Sequence, residues 1–239
     1  MPSWSTYTSV YDLILCRTAT YQAMLNDLLG RSGSLPKLGD DSVVLDLGCG
    51  TGNLSREILT AYPGTTLIAV DHDSSMAKVF REKLFDRLSD KPRAGSVFFM
   101  EKDIAEAMDI LSAMALYADY AFLVNVLFLL QEPEAILWKI ARTLKPGGDL
   151  RLSNPDEDTD LDALFDTIRR ELGEKNEFQK FEKEFNMLKT FNETQLLPML
   201  NRFSRETLQD LLRSGGFRKI THISHDHYAG QSILISAVT

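Results

Sequence analysis

Between residues 42 and 153, short and nearly continuous apolar runs alternate with amphipathic stretches. Ser42–Asp46, Thr65–Val70, Ser96–Met100, Tyr120–Val124 and Asp149–Ser153 are runs of the first kind. Such runs suit parallel strands covered by helices on both faces. Ser74 is the expected N-cap of a helix with Met76, Val79, Phe80, Leu84 and Leu88 at helical spacing. Pro133 opens a second stripe, Ile136, Leu137, Ile140, Ala141 and Leu144, which Pro146-Gly147-Gly148 ends. Ser204 caps a last helix that runs through Ser214 to Gly215-Gly216, and Phe217–Ser224 and Gln231–Val238 form a terminal hairpin. The pattern predicts an α/β fold: a seven-stranded, mostly parallel, doubly wound sheet with an antiparallel terminal strand.

Two regions break the rhythm. Residues 1–38 predict two short helices rich in aromatics, with Trp4, Tyr7, Tyr11 and Tyr21. Residues 155–202 predict two acidic amphipathic helices, striped by Leu161, Leu164, Phe165, Ile168 and Leu172 and by Phe178, Phe181, Phe185 and Leu188. The expected organisation is an N-terminal helical cap (1–38), a core (39–154), a helical insert (155–202) and a closing helix with hairpin (203–239). Ligands bind beyond the carboxyl ends of parallel strands, so the cap and insert are expected to act as a lid there; padding of the sheet edges is the plainer alternative.

Composition narrows the field. The chain has 239 residues, 44% apolar and 25% charged, with net charge −8, an ordinary globular balance. Residues 156–189 alone carry 11 Asp/Glu against 6 Lys/Arg. No basic face is visible, which argues against a nucleic-acid partner. No apolar run is long enough to cross a membrane, and no signal peptide is visible. Cys16 and Cys49 cannot build a disulfide framework or a cysteine-rich metal site, so a cytoplasmic location is expected.

The strongest constellation is Val43-Val-Leu-Asp-Leu-Gly-Cys-Gly-Thr-Gly52-Asn53. Gly48, Gly50 and Gly52 follow a strand and open a helix, so a ligand can approach the backbone closely. Asp46 would repel a pyrophosphate but attract a cationic amine. Asp71 ends the second strand roughly 20 residues on, where a carboxylate accepts from ribose hydroxyls. After the third strand, Asp103 suits an adenine amine, with Met76 and Ile104 flanking the ring; a plain helix N-cap is the alternative for Asp103.

These motifs resemble the class I S-adenosylmethionine-dependent methyltransferases. Val44–Gly52 is similar to that superfamily's first motif, Val70–Met76 to the second, with His72 where an apolar residue is common, and Lys102-Asp103-Ile104 to the third. Ala118–Leu130 is similar to the fourth, and Leu144–Gly148 to the segment before strand five. The resemblance covers roughly residues 40–154 and the terminal hairpin. It implies S-adenosylmethionine (SAM) as cofactor, with Asp46 and the loop from Gly48 through Cys49, Gly50 and Gly52 to Asn53 at the methionine end. Asp71 then holds the ribose, and His72, Met76, Asp103 and Ile104 border the adenine. Asn125 faces the sulfonium.

The acceptor is less legible. No histidine lies within a few residues after Asn125, so the site is expected to work by shape or with a base from the lid; His225, His227 or Tyr228, at the end of the sixth strand, and Tyr7 and Tyr11 are the titratable candidates. His222, His225 and His227 form an H-x-x-H-x-H run, read as a solvated turn rather than a metal site. The expected function is in-line methyl transfer to a small molecule. Two alternatives stay open: intramolecular cyclisation or lysis of SAM as sole substrate, releasing methylthioadenosine, and a non-catalytic SAM-binding module. The oligomeric state is not legible.

Overall fold

The computed structural model describes residues 4–86, 96–199 and 201–239; Leu88 lies outside them. The strands are β1 (Val43–Leu47), β2 (Thr66–Asp71), β3 (Val97–Glu101), β4 (Ala118–Val124), β5 (Leu144–Pro155), β6 (Lys219–His227) and β7 (Ser232–Val238). They form one sheet in the order β3-β2-β1-β4-β5-β7-β6. β1 to β5 are parallel, and β7 is antiparallel to β5 and β6. This is the sheet the sequence pattern predicts. Its order reverses between β1 and β4, which opens a crevice at their carboxyl ends.

The helices are α1 (Trp4–Leu15), α2 (Ala19–Leu28), α3 (Asn53–Ala61), α4 (Ser74–Arg81), α5 (Ile104–Ala113), α6 (Pro133–Thr143), α7 (Leu161–Glu174), α8 (Phe178–Phe191) and α9 (Arg205–Ser214). Alternation along the strands feeds two apolar layers. Val44, Leu67, Ala69 and Phe122 face the layer shared with α1, α2, α7 and α8. Leu45, Leu47, Ile68 and Leu123 face the layer shared with α5, α6 and α9.

Several elements differ from expectation. Asp73, not Ser74, caps α4: its extended backbone lets one carboxylate oxygen accept from the Ser75 and Met76 amides, each at 2.9 Å. Leu144 belongs to β5 rather than to α6, because it pairs with Ala118 before a bulge that absorbs the Pro-Gly-Gly turn. β3 is an edge strand, and its apolar run is not covered on both faces: Phe98 is 55% exposed.

β5 also carries a fully buried arginine. Arg151 donates to Asp149 (2.8 Å) and to the carbonyls of Leu28 (2.7 Å) and Pro36 (2.8 Å). Ser236 donates to the second Asp149 oxygen at 2.6 Å. A charge this deep persists only when paired and hydrogen-bonded. The result ties the segment after α2 to the centre of the sheet.

Candidate active site

The turn after β1 is folded back by two amides, Gly48 and Cys49, which both donate to the Val70 carbonyl at 2.8 and 3.0 Å. Gly48, Gly50 and Gly52 have φ of 70°, 53° and 79°, a region that disfavours any Cβ. Their surroundings differ. A Cβ on Gly48 would lie 2.5 Å from Val126, and one on Gly52 would lie 2.7 Å from Phe80. Gly52 therefore serves helix packing, and the cavity wall does not include it. A Cβ on Gly50 would meet only Met76 Sδ, at 3.9 Å, so the loop opens towards the cavity there.

That cavity measures about 720 Å³ and lies at the carboxyl ends of β1, β2 and β4. It gathers Asp46, Gly48, Cys49, Gly50, Asn53, Asp71, His72, Met76, Asp103, Ile104 and Asn125 from the core, with Tyr7, Tyr11 and Tyr228. Apart from Gly52, His225 and His227, the candidate residues picked out by sequence meet in this one space.

The carboxylates are already engaged. Asp71 accepts from the Gly50 amide (2.8 Å) with one oxygen and from the Asp73 amide (2.9 Å) with the other. It therefore shapes the loop as well as facing the cavity. Burial raises its carboxyl above the usual range, against those amide bonds. Asp46 is buried and accepts from the Ser55 hydroxyl at 2.6 Å, within the first turn of α3. Burial, opposed by the Ser55 bonds and reinforced by the charge of Asp71, pushes Asp46 up to about 7. Asp103 caps α5 by accepting from the Ala105 amide at 2.7 Å, so the capping alternative is realised while the residue still borders the cavity.

Asn125 sits at the end of β4 with φ 55°. Its side-chain oxygen accepts from the Ser153 hydroxyl at 3.1 Å, and its backbone amide donates to the Ser153 carbonyl at 3.0 Å. Its side-chain NH₂ makes no hydrogen bond among the described residues. A left-handed backbone is one an asparagine tolerates better than most residues.

The tyrosines form an aromatic wall. The Tyr7 ring lies 5.2 Å from that of Tyr11 and 4.5 Å from that of Phe191, and Tyr11 meets Tyr21 edge-on at 6.3 Å. Burial raises the Tyr7, Tyr11, Tyr21 and Tyr228 phenols well above their ordinary range. They are hydrogen-bonding phenols at neutral pH, not bases. The Tyr228 hydroxyl is buried without a hydrogen-bond partner among the described residues.

The histidine run is not a solvated turn. β6 extends to His227, which is buried with Nε2 2.9 Å from Asp27, while His225 Nε2 lies 2.5 Å from Asp156. Each ring meets its own acid, and neither borders the cavity. His72 does border it.

A network that sequence reasoning missed closes the loop from outside. Asp12 of α1 accepts from Thr51 (2.7 Å), Asn53 (2.9 Å) and Lys83 (2.7 Å), and Lys83 also donates to Asn53 at 2.6 Å. No spacing signals it, since its members lie as far apart as residues 12 and 83. α7 and α8 add Leu161, Leu164, Phe165, Ile168 and Leu188 to the cavity wall.

With this geometry, comparison with known proteins is informative. A family model for the methyltransferase domain matches residues 17–222. The malonyl-[acyl-carrier protein] O-methyltransferase of Halalkalibacterium halodurans is 30% identical over 134 residues, 54% of this chain and 46% of that protein. The trans-aconitate 2-methyltransferase of Rhizobium meliloti is 28% identical over 152 residues, 64% of this chain and 51% of that protein. The chain thus spans about half the length of these curated relatives. Among solved structures, magnesium protoporphyrin IX methyltransferase from Synechocystis PCC 6803, with bound SAH, shares the fold at a TM-score of 0.58 and 19% identity, over 92% of this chain and 83% of that one. A SAM-dependent methyltransferase from Thermotoga maritima, described as a possible histamine N-methyltransferase, has a TM-score of 0.55 at 20% identity, over 95% and 92%.

Proposed function

The chain belongs to the methyltransferase-domain family, whose cofactor is SAM, and from that premise we propose that it transfers the SAM methyl group to a small-molecule acceptor. One observation carries the reading: the glycine loop, Asp71, the Met76–Ile104 edge, Asn125 and the tyrosine wall share a single cavity of about 720 Å³. Its residues fit the group. Gly50 leaves room against the backbone, and each Asp71 oxygen keeps acceptor capacity for a ribose hydroxyl. Met76 and Ile104 offer apolar contact to a purine, and Asp103 and His72 border it.

When bound, SAM supplies a methyl group on a sulfonium, which leaves a neutral thioether on transfer. The rest falls to this chain. Asp46 faces a cationic amine at the methionine end with a carboxyl that charges near neutral pH. The free NH₂ of Asn125 orients the acceptor or the cofactor in line. Tyr7, Tyr11 and Tyr228 hold the acceptor as neutral hydrogen-bonding groups, so alignment and exclusion of water supply the rate enhancement. Residues 39–154 hold the cofactor, 203–239 complete the sheet, and 1–38 with 155–202 close as the lid.

The relatives' names favour transfer over cyclisation or mere binding. Mass spectrometry of protein incubated with methyl-labelled SAM and an acceptor panel tests this: labelled acceptor with S-adenosylhomocysteine (SAH) is expected. Methylthioadenosine from SAM alone would overturn it. Asn125→Gly, which keeps the left-handed backbone, is expected to lower turnover about tenfold while SAM affinity changes less, the signature of lost orientation.

A further inference from the structure

The cavity wall divides by origin. The carboxyl-end halves of β1 and β2 and the segments after β2 and β3 contribute the carboxylates Asp46, Asp71, Asp73 and Asp103, with Glu132 ahead of α6. The residues from α1, α2, α7, α8 and the β6–β7 connection are all uncharged. Among the described residues no lysine or arginine lines either part. Nearby cations are committed elsewhere. Lys83 pairs with Asp12, Lys189 pairs with Asp162 and Glu193, and Arg169 lies over the rings of Phe178 and Phe185. An acceptor carboxylate in this space would be desolvated with no cationic side chain beside it and with acids facing it, an arrangement proteins avoid.

Tyr228 supplies an unspent polar group on the uncharged side. Tyr228 lines the cavity, and its hydroxyl is buried with no hydrogen-bond partner among the described residues. Tyr228 and Ala229 stand at φ of 51° and 55°, held there by the Tyr228 amide donating to Thr20 Oγ1 at 3.0 Å. An unpaired buried hydroxyl on strained backbone is costly unless a ligand completes it.

We infer that the acceptor is an uncharged, largely apolar molecule whose hydroxyl or amine hydrogen-bonds to Tyr228 Oη, and that carboxylate acceptors are rejected. The inference rests on the methyl-transfer reading of this cavity. It is tested by calorimetric titration of the SAH-loaded protein with 1-naphthol and with the tricarboxylate trans-aconitate. 1-Naphthol is expected to bind at least about tenfold tighter, and Tyr228→Phe to weaken it about tenfold, the cost of one buried hydrogen bond, with SAH affinity unchanged. Equal or tighter trans-aconitate binding, no 1-naphthol binding, or an unchanged 1-naphthol affinity in Tyr228→Phe would overturn the inference alone. If Tyr228→Phe fails to fold, the wild-type preference decides. Absence of SAH binding to the wild type would overturn the methyl-transfer reading and this inference with it.

Discussion

The glycine-loop wall of the cavity takes its shape from backbone, whereas the wall from α1, α7 and α8 takes its shape from packed side chains. In the first, three glycines at positive φ and two amides on Asp71 hold the turn, and the polar groups are charged. In the second, Tyr7 stacks on Phe191, Phe165 meets Phe185 edge-on, and no charge faces the cavity. The difference teaches how one fold can keep a cofactor while changing what it acts on. The glycine loop tolerates few substitutions, because a Cβ at Gly48 would collide with Val126 and one at Gly52 with Phe80. An apolar side-chain wall tolerates exchange at similar volume, so specificity can drift there without loss of the cofactor half.

Away from the two walls, Arg151 ties the segment after α2 to the sheet. Arg151→Leu removes donors to Asp149, Leu28 and Pro36 and strands a buried carboxylate, so chemical denaturation is expected to show a loss of about 4 kcal/mol. An unchanged midpoint would mean that the N-terminal region is not held through this residue. Gly48→Ala forces a Cβ against Val126 at positive φ, and a loss of about 3 kcal/mol is expected. Leu164→Met on the other wall is expected to cost less than about 1.5 kcal/mol. Equal costs in these two melts would erase the contrast between the walls.

Asp71→Ala acts on binding and loop together. It is expected to weaken SAM by at least about 1 kcal/mol in calorimetric titration, and to lower stability as the Gly50 and Asp73 amides lose their acceptor. Unchanged affinity would remove Asp71 from the ribose site.

Asp46 gives a pH signature. Its folded carboxyl titrates near 7 against an ordinary 3.8. Below about 4 the group is protonated in both states. Between there and 7 only the unfolded chain ionises, so its contribution to stability falls as pH rises, then levels above 7. A cationic ligand amine favours the ionised form, so SAM affinity is expected to rise between pH 6 and 8. Asp46→Asn is expected to flatten both profiles. Parallel profiles for wild type and variant would show that Asp46 is not the titrating group.

The subtlest test is hydrogen exchange with and without SAH. Protection is expected in α1, α7 and α8, while the strands stay unchanged. Equal exchange in both states would leave the side-chain wall a fixed surface, not a lid.

The sheet was legible in sequence because apolar runs separated by amphipathic ones leave few ways to bury both faces. The glycine loop and Asp46, Asp71 and Asp103 were legible because strand ends bring them together whatever the side chains do elsewhere. No helix among the described residues is long and apolar enough to cross a membrane. Other features came from contacts between residues distant in the chain, and local pattern carries no trace of such pairs. Asp12 meets Thr51, Asn53 and Lys83 only after α1 folds over the loop. His225 and His227 find Asp156 and Asp27 only once β6 joins the sheet, which turned an expected solvated turn into paired strand residues. Sequence marked Gly52 for the ligand, but the structure assigns it to Phe80, because a glycine pattern records that a Cβ is excluded and not what excludes it. Tyr228 was one tyrosine among several until burial left its hydroxyl without a hydrogen-bond partner among the described residues. Chain order fixes what each strand end offers, and only packing decides which of those groups is left with nothing to bind.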